Sequence, residues 1–212
     1  MSLLRRLLRD PRAAGAAEFA LVLPLMLLFL LGIIDAGRYM WNINQAEKAT
    51  QTGARWAVAT DIIPGAGYDD GLAGYSFAVD GGITQGTVVD STAFPGVNCT
   101  ADVDGNLSCS CPSSCDFETA TDSGGQEAFD AMVARMQQIY PALDASDVSI
   151  SYANSGLGYS GDPNGSDVDP IVTVSLTGMP FRPIFLGTIF DAGLPDLSYS
   201  LTMEDGQGSF AN

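Results

Sequence analysis

The sequence predicts an α+β protein in which one long N-terminal helix begins in a membrane and continues as an amphipathic helix packed on a small antiparallel sheet. Three observations carry this. Residues 19–34 read FALVLPLMLLFLLGII, without a charge. Residues 39–59 lack helix breakers apart from Gly53 and repeat small residues at three- and four-residue steps. Towards the C-terminus, 148–152 (VSISY), 171–176 (IVTVSL) and 197–203 (LSYSLTM) alternate as half-buried strands do.

Twelve of the sixteen residues in 19–34 are Leu, Ile, Val or Phe. At about −0.5 kcal/mol each they favour the bilayer by roughly 6 kcal/mol. Sixteen residues give only about 24 Å of helix, short of a hydrocarbon core of about 30 Å. Ala14, Gly15, Ala16 and Ala17 extend the run on the N-terminal side, interrupted by Glu18. A cleaved secretory signal has the same order of basic and apolar regions, but no Ala-x-Ala-like site follows here. The chain instead continues Asp35-Ala-Gly-Arg-Tyr-Met-Trp, helical in character and ending in aromatics that favour the membrane interface.

Charge orients the segment. The chain has 9 Lys+Arg and 25 Asp+Glu, a formal net charge of −16. Arg5, Arg6, Arg9 and Arg12 precede the apolar run, opposed only by Asp10, so the positive-inside rule puts the N-terminus in the cytoplasm. The acidic remainder is then extracytoplasmic, and so acidic a body excludes nucleic acid as a partner. With no histidine, a His-based triad, zinc site or haem ligand cannot be built.

Beyond the membrane, Ile43, Ala46, Ala49, Thr50, Gly53, Ala54 and Ala57 form a stripe of mostly small residues. It suits close packing inside this chain, on its own sheet, better than a face between subunits. Pro64 and Gly65 end the helix, near residue 60. The Gly-, Ser-, Thr- and Asp-rich stretch 64–125 reads as loop with brief strands at Tyr75–Val79 and Thr87–Val89. A second helix over 125–140 presents Ala128, Phe129, Met132, Val133, Met136 and Ile139 on one face, with a start at 123–126 (SGGQ) and a stop at Pro141.

The four cysteines, Cys99, Cys109, Cys111 and Cys115, form one even-numbered cluster, as disulfides in an oxidising compartment do. A Cys109–Cys111 bridge would be strained. That leaves 99–109 with 111–115, or 99–111 with 109–115. A four-thiolate metal site would want paired knuckles, which Cys-x-Cys does not supply. Asp147-Val-Ser-Ile-Ser151 matches the Asp-x-Ser-x-Ser adhesion-site pattern, but no buried apolar strand precedes it, and strand alternation explains the same residues. Asp162, Asn164, Asp167 and Asp169 are weak calcium candidates without EF-hand spacing; a solvated acidic loop is the simpler reading. The sequence shows no Gly-x-Ser-x-Gly, Ser-x-x-Lys or Gly-x-x-x-x-Gly-Lys, and we expect neither enzymatic activity nor a cofactor.

The run Glu18-Phe19-Ala-Leu-Val-Leu-Pro24, the apolar segment, Gly37-Arg38 and Gly53-Ala54-Arg55 together resemble the TadE/TadG-like family, pseudopilins or minor pilins of the tight-adherence (Tad) pilus machinery of bacteria. The resemblance covers about residues 5–58. It implies a pilin-like fold, a bacterial inner-membrane location and passage to a surface pilus. The partners it implies are the lipid bilayer, a prepilin peptidase, other pilin-like subunits and Tad inner-membrane components. Cleavage in that family leaves Glu at the fifth mature position and an aromatic at the sixth, which maps here to a cut between Ala13 and Ala14, with Glu18 and Phe19 as assembly residues. Ala13 departs from the Gly that usually precedes the cut. The chain then divides into a basic cytoplasmic leader (1–13), a transmembrane helix (14–36), its extracytoplasmic continuation (37–62) and an acidic α+β domain (63–212) with a disulfide-stapled loop at 99–115. The alternative reading is an anchored adhesin or calcium-binding module that never joins a pilus.

Overall fold

In a computed structural model of the chain, residues 11–163, 165–185, 187 and 192–203 are described. Helix α1 spans Pro11–Ala57, 47 residues or about 70 Å. It opens on a proline, whose missing N–H is harmless in a first turn. The chain separates into two compact units: one combines residues up to Trp41 with Pro180–Gly193, the other runs Asn42–Met179 and resumes at Leu194.

The larger unit is α+β. Strands β1 (Val97–Ala101), β2 (Leu107–Ser110), β3 (Val148–Ala153), β4 (Ile171–Leu176) and β7 (Leu197–Thr202) form one sheet in the order β2-β1-β3-β4-β7. Every neighbouring pair is antiparallel. The strand period of two sorts the residues by face. Val148, Ile150 and Tyr152 lie opposite Leu176, Val174 and Val172, and all six are buried. The other face carries hydroxyls, with Thr173 and Ser200 hydrogen-bonded across strands at 2.7 Å.

Helix α2 (Ser123–Gln137) starts where the Asp122 carboxylate accepts from Gly124 N (2.7 Å) and Gly125 N (3.1 Å), satisfying orphan donors of the first turn. It buries Phe129, Met132, Val133 and Met136, the apolar face expected from spacing. The small-residue stripe of α1 is buried too, at Ala46, Ala49, Thr50, Gly53, Ala54 and Ala57. At Gly53 its neighbour is α2: a Cβ there would come within 2.5 Å of Met136 Sδ. A glycine is what lets the methionine lie that close.

Three expectations need correction. Helix α1 ends at Ala57, short of residue 60, followed by turns before Pro64. Tyr75–Val79 and Thr87–Val89 are irregular rather than strands. Tyr75 and Phe77 serve a local core instead: with Phe94 and Phe117 they pack edge-on and tilted at 4.9–6.5 Å between ring centroids. The cysteine stretch is only partly a loop. Its first half is the β1–β2 hairpin, closed where Asp102 Oδ1 accepts from Asp104 N and Asn106 N. Gly105 supplies the positive φ (+85°) that this turn requires. Cys99 and Cys109 face each other in the hairpin register and are bonded, as are Cys111 and Cys115. Of the two pairings open at the sequence level, this is the one formed.

Tyr152 ties the layers together. Its ring is buried and its hydroxyl accepts from Ile63 N at 3.3 Å. Burial pushes its ionisation well above the usual phenol range. Tyr140 and Tyr75 are raised as well, first by burial and then by nearby Asp147, and by Asp116 and Asp80, respectively. A phenol whose folded pKa is raised favours folding below its unfolded value and loses that contribution as pH climbs towards the folded one. We therefore expect stability in urea titrations to fall above about pH 10, by about 1.4 kcal/mol per pH unit for Tyr152. Tyr152→Phe should lower stability by about 1–2 kcal/mol at pH 8, since Ile63 N loses its acceptor, and should flatten the alkaline limb. An unchanged limb in that variant would count against the assignment.

Candidate assembly site along the anchor helix

Helix α1 is, by length and composition, long and apolar enough to cross a membrane, and an 18-residue window within it has no buried residue. Leu21, Leu25, Phe29, Leu30 and Ile33 are all exposed. So apolar a surface, left open by its own chain, fits a single-pass membrane anchor.

The residues singled out from sequence are distributed as follows. The Ala13–Ala14 bond lies in the first turn of α1; the side chains of both fall outside the described residues. Glu18 is exposed one turn further on, with no partner among the described residues, beside Phe19, which is 65% exposed. The helix thus presents the carboxylate and the aromatic outward, next to the bare apolar run. In the larger unit, Asp167 is buried and accepts from Phe77 N at 2.7 Å and Asp162 N at 2.9 Å. Its oxygens hold backbone in place. Asp169 is raised by burial, then by Asp162. Asn164 lies outside the described residues. Among those described, no group of three or more acidic or cysteine side chains is arranged to hold a metal ion.

A second acid of α1 escaped the sequence reading. Asp35, directly after the apolar run, is only 3% exposed. Its Oδ1 accepts from Ile184 N and its Oδ2 from Phe185 N, each at 2.9 Å. Arg38, one turn along, adds an ion pair at 3.5 Å. The same segment is pinned on either side of these bonds. Pro180–Phe181 (β5) pairs antiparallel with Ala192–Gly193 (β6). The Phe181 ring meets Tyr39 edge-on at 5.1 Å and lies under the Arg38 guanidinium at 5.7 Å. Two consecutive amides gripping one carboxylate, with a cation beside it, replace the water that a lone acid would require there. The sequence signal was modest: an acid at the end of the apolar run with Arg at i+3. Its partners are about 150 residues away, beyond the reach of any local pattern.

Sixteen residues lie between the two acids, which are about 26 Å apart along the helix. They bracket the uncharged run, one carboxylate open and the other closed by its own chain. No curated protein and no solved structure matches the chain. Residues 13–55 match the family model described as TadE-like protein. That stretch starts at the expected cleavage position, takes in Glu18, Phe19 and Asp35, and stops two residues before α1 ends. Helix α1 is therefore similar to the TadE-like family over these residues, about a fifth of the chain.

Proposed function

We propose that the protein is a membrane-anchored, pseudopilin-like component of Tad-type pilus assembly. The observation that carries this is the exposed Glu18 on an uncovered apolar helix, inside the TadE-like match. In this reading a prepilin peptidase cuts between Ala13 and Ala14 on the cytoplasmic side, under the direction of the Arg-rich leader. The new N-terminal amine of one subunit then pairs with Glu18 of another. A carboxylate in lipid is unfavourable alone, and an opposite charge removes much of its desolvation cost. Helices held apart in the inner membrane gain that pair, together with van der Waals packing, when they assemble. The two disulfides support placing the acidic body on the oxidising side of the membrane.

The test combines N-terminal sequencing with a capture assay. Membrane-extracted protein should begin at Ala14 when a prepilin peptidase is co-expressed and at Met1 when it is not. Glu18→Ala should insert into membranes at the level of the unaltered protein, yet co-purify with other pilus components at least tenfold less. An uncut N-terminus in the presence of the peptidase, or undiminished co-purification of Glu18→Ala, overturns the reading.

A further inference from the structure

We infer that Pro180–Phe185 is a second membrane contact: a strap that seats Ile184 and Phe185 in the leaflet where α1 leaves the bilayer. The inference rests on the anchor reading of α1. Ile184 is 63% exposed and Phe185 44%, although the backbone N–H groups of both are bonded to buried Asp35. The strap is therefore held against the helix by its main chain and turns its apolar side chains outward. Pro183, next to them, adds apolar surface and offers no N–H.

Height decides what those side chains meet. Asp35 directly follows the apolar run, so its bonds fix the strap at the end of the span. The uncharged run covers only about 24 Å of a hydrocarbon layer of about 30 Å. A span that short must thin the bilayer or gain apolar surface at an end. Closing Asp35 with two amides and Arg38 removes the polar group that would otherwise stop the apolar cylinder at Ile34. The strap then adds Ile184 and Phe185 at that level. The neighbouring residues fit the same depth: Met40 and Trp41 are exposed shortly beyond, where an amphipathic aromatic favours the interface. Lipid acyl chains, continuous with those around α1, are the occupant that this arrangement selects.

The full chain in phosphatidylcholine vesicles, with bromine placed on the acyl chains, gives a direct test. The background carries Trp41→Phe and Trp56→Phe, the latter keeping a ring under Arg135. A single tryptophan is then introduced as Phe185→Trp or, to report the anchor, as Leu28→Trp. We expect Phe185→Trp fluorescence to fall at least twofold on bromination near the headgroup end of the chains, and Leu28→Trp to be quenched most by deeper bromine. Adding Asp35→Ala should relieve most of the quenching at position 185 and leave position 28 unchanged. Quenching at 28 without quenching at 185 overturns the strap and leaves the anchor standing. Quenching at neither position overturns the anchor reading and the strap together. Undiminished quenching at 185 in the Asp35→Ala variant overturns the role of Asp35.

Discussion

Phe129→Ala should lower the unfolding free energy of the α+β unit by about 3–5 kcal/mol, the range for emptying a fully buried aromatic site. Phe129 has no exposed surface and heads the face of α2 that continues through Met132, Val133 and Met136. The cavity cannot collapse easily. Its own helix is capped by Asp122, and at Gly53 the stripe of α1 has already closed on Met136. For a unit of about 150 residues the loss corresponds to a fall in Tm of about 10 °C. Glu127→Ala, two positions away and exposed, should change stability by less than about 0.5 kcal/mol. Urea unfolding in detergent, followed by tryptophan emission, measures both. A loss below about 1 kcal/mol for Phe129→Ala would mean that this face is not core.

Asp167→Ala should cost about 3 kcal/mol for a different reason. The buried carboxylate is the acceptor for Phe77 N and Asp162 N, and Phe77 lies ninety residues away in sequence. Deleting it leaves a buried amide unpaired, which costs more than the hydrogen bond was worth. Hydrogen exchange at Phe77 should accelerate by about a hundredfold, on the order of 3 kcal/mol of local opening. Asp167→Asn keeps one acceptor oxygen and should recover at most about half of the loss. Unchanged protection at Phe77 would show that the carboxylate does not hold this segment. The same two hydrogen bonds account for an acid in a buried position.

How much of this was legible in the sequence depended on the range of the physics involved. Strand β4 was read at its observed bounds because Ile171–Leu176 alternates and is half-buried. The stripe of α1 and the face of α2 followed from helical spacing alone. The β1–β2 hairpin is hard to see in the sequence because its fully buried positions include Cys99, a residue whose cross-linking role masks its place in an alternating strand. Tyr75 and Phe77 have the composition of a strand, but they find partners in Phe94 and Phe117 instead of a neighbouring ladder. At the candidate site, Glu18 stood out because nothing nearby explains a charge there. Asp35 did not, because its explanation lies in two amide groups from the far end of the chain.

That distance puts a delay into biosynthesis. Asp35 leaves the ribosome roughly 150 residues before Ile184 and Phe185, and at 5–20 residues per second the gap is roughly 10–30 s. Throughout it, Arg38 is the partner already in place, one turn along the same helix. The helix exit of a growing chain is therefore left half-made, and it is completed only when this later segment has been synthesised.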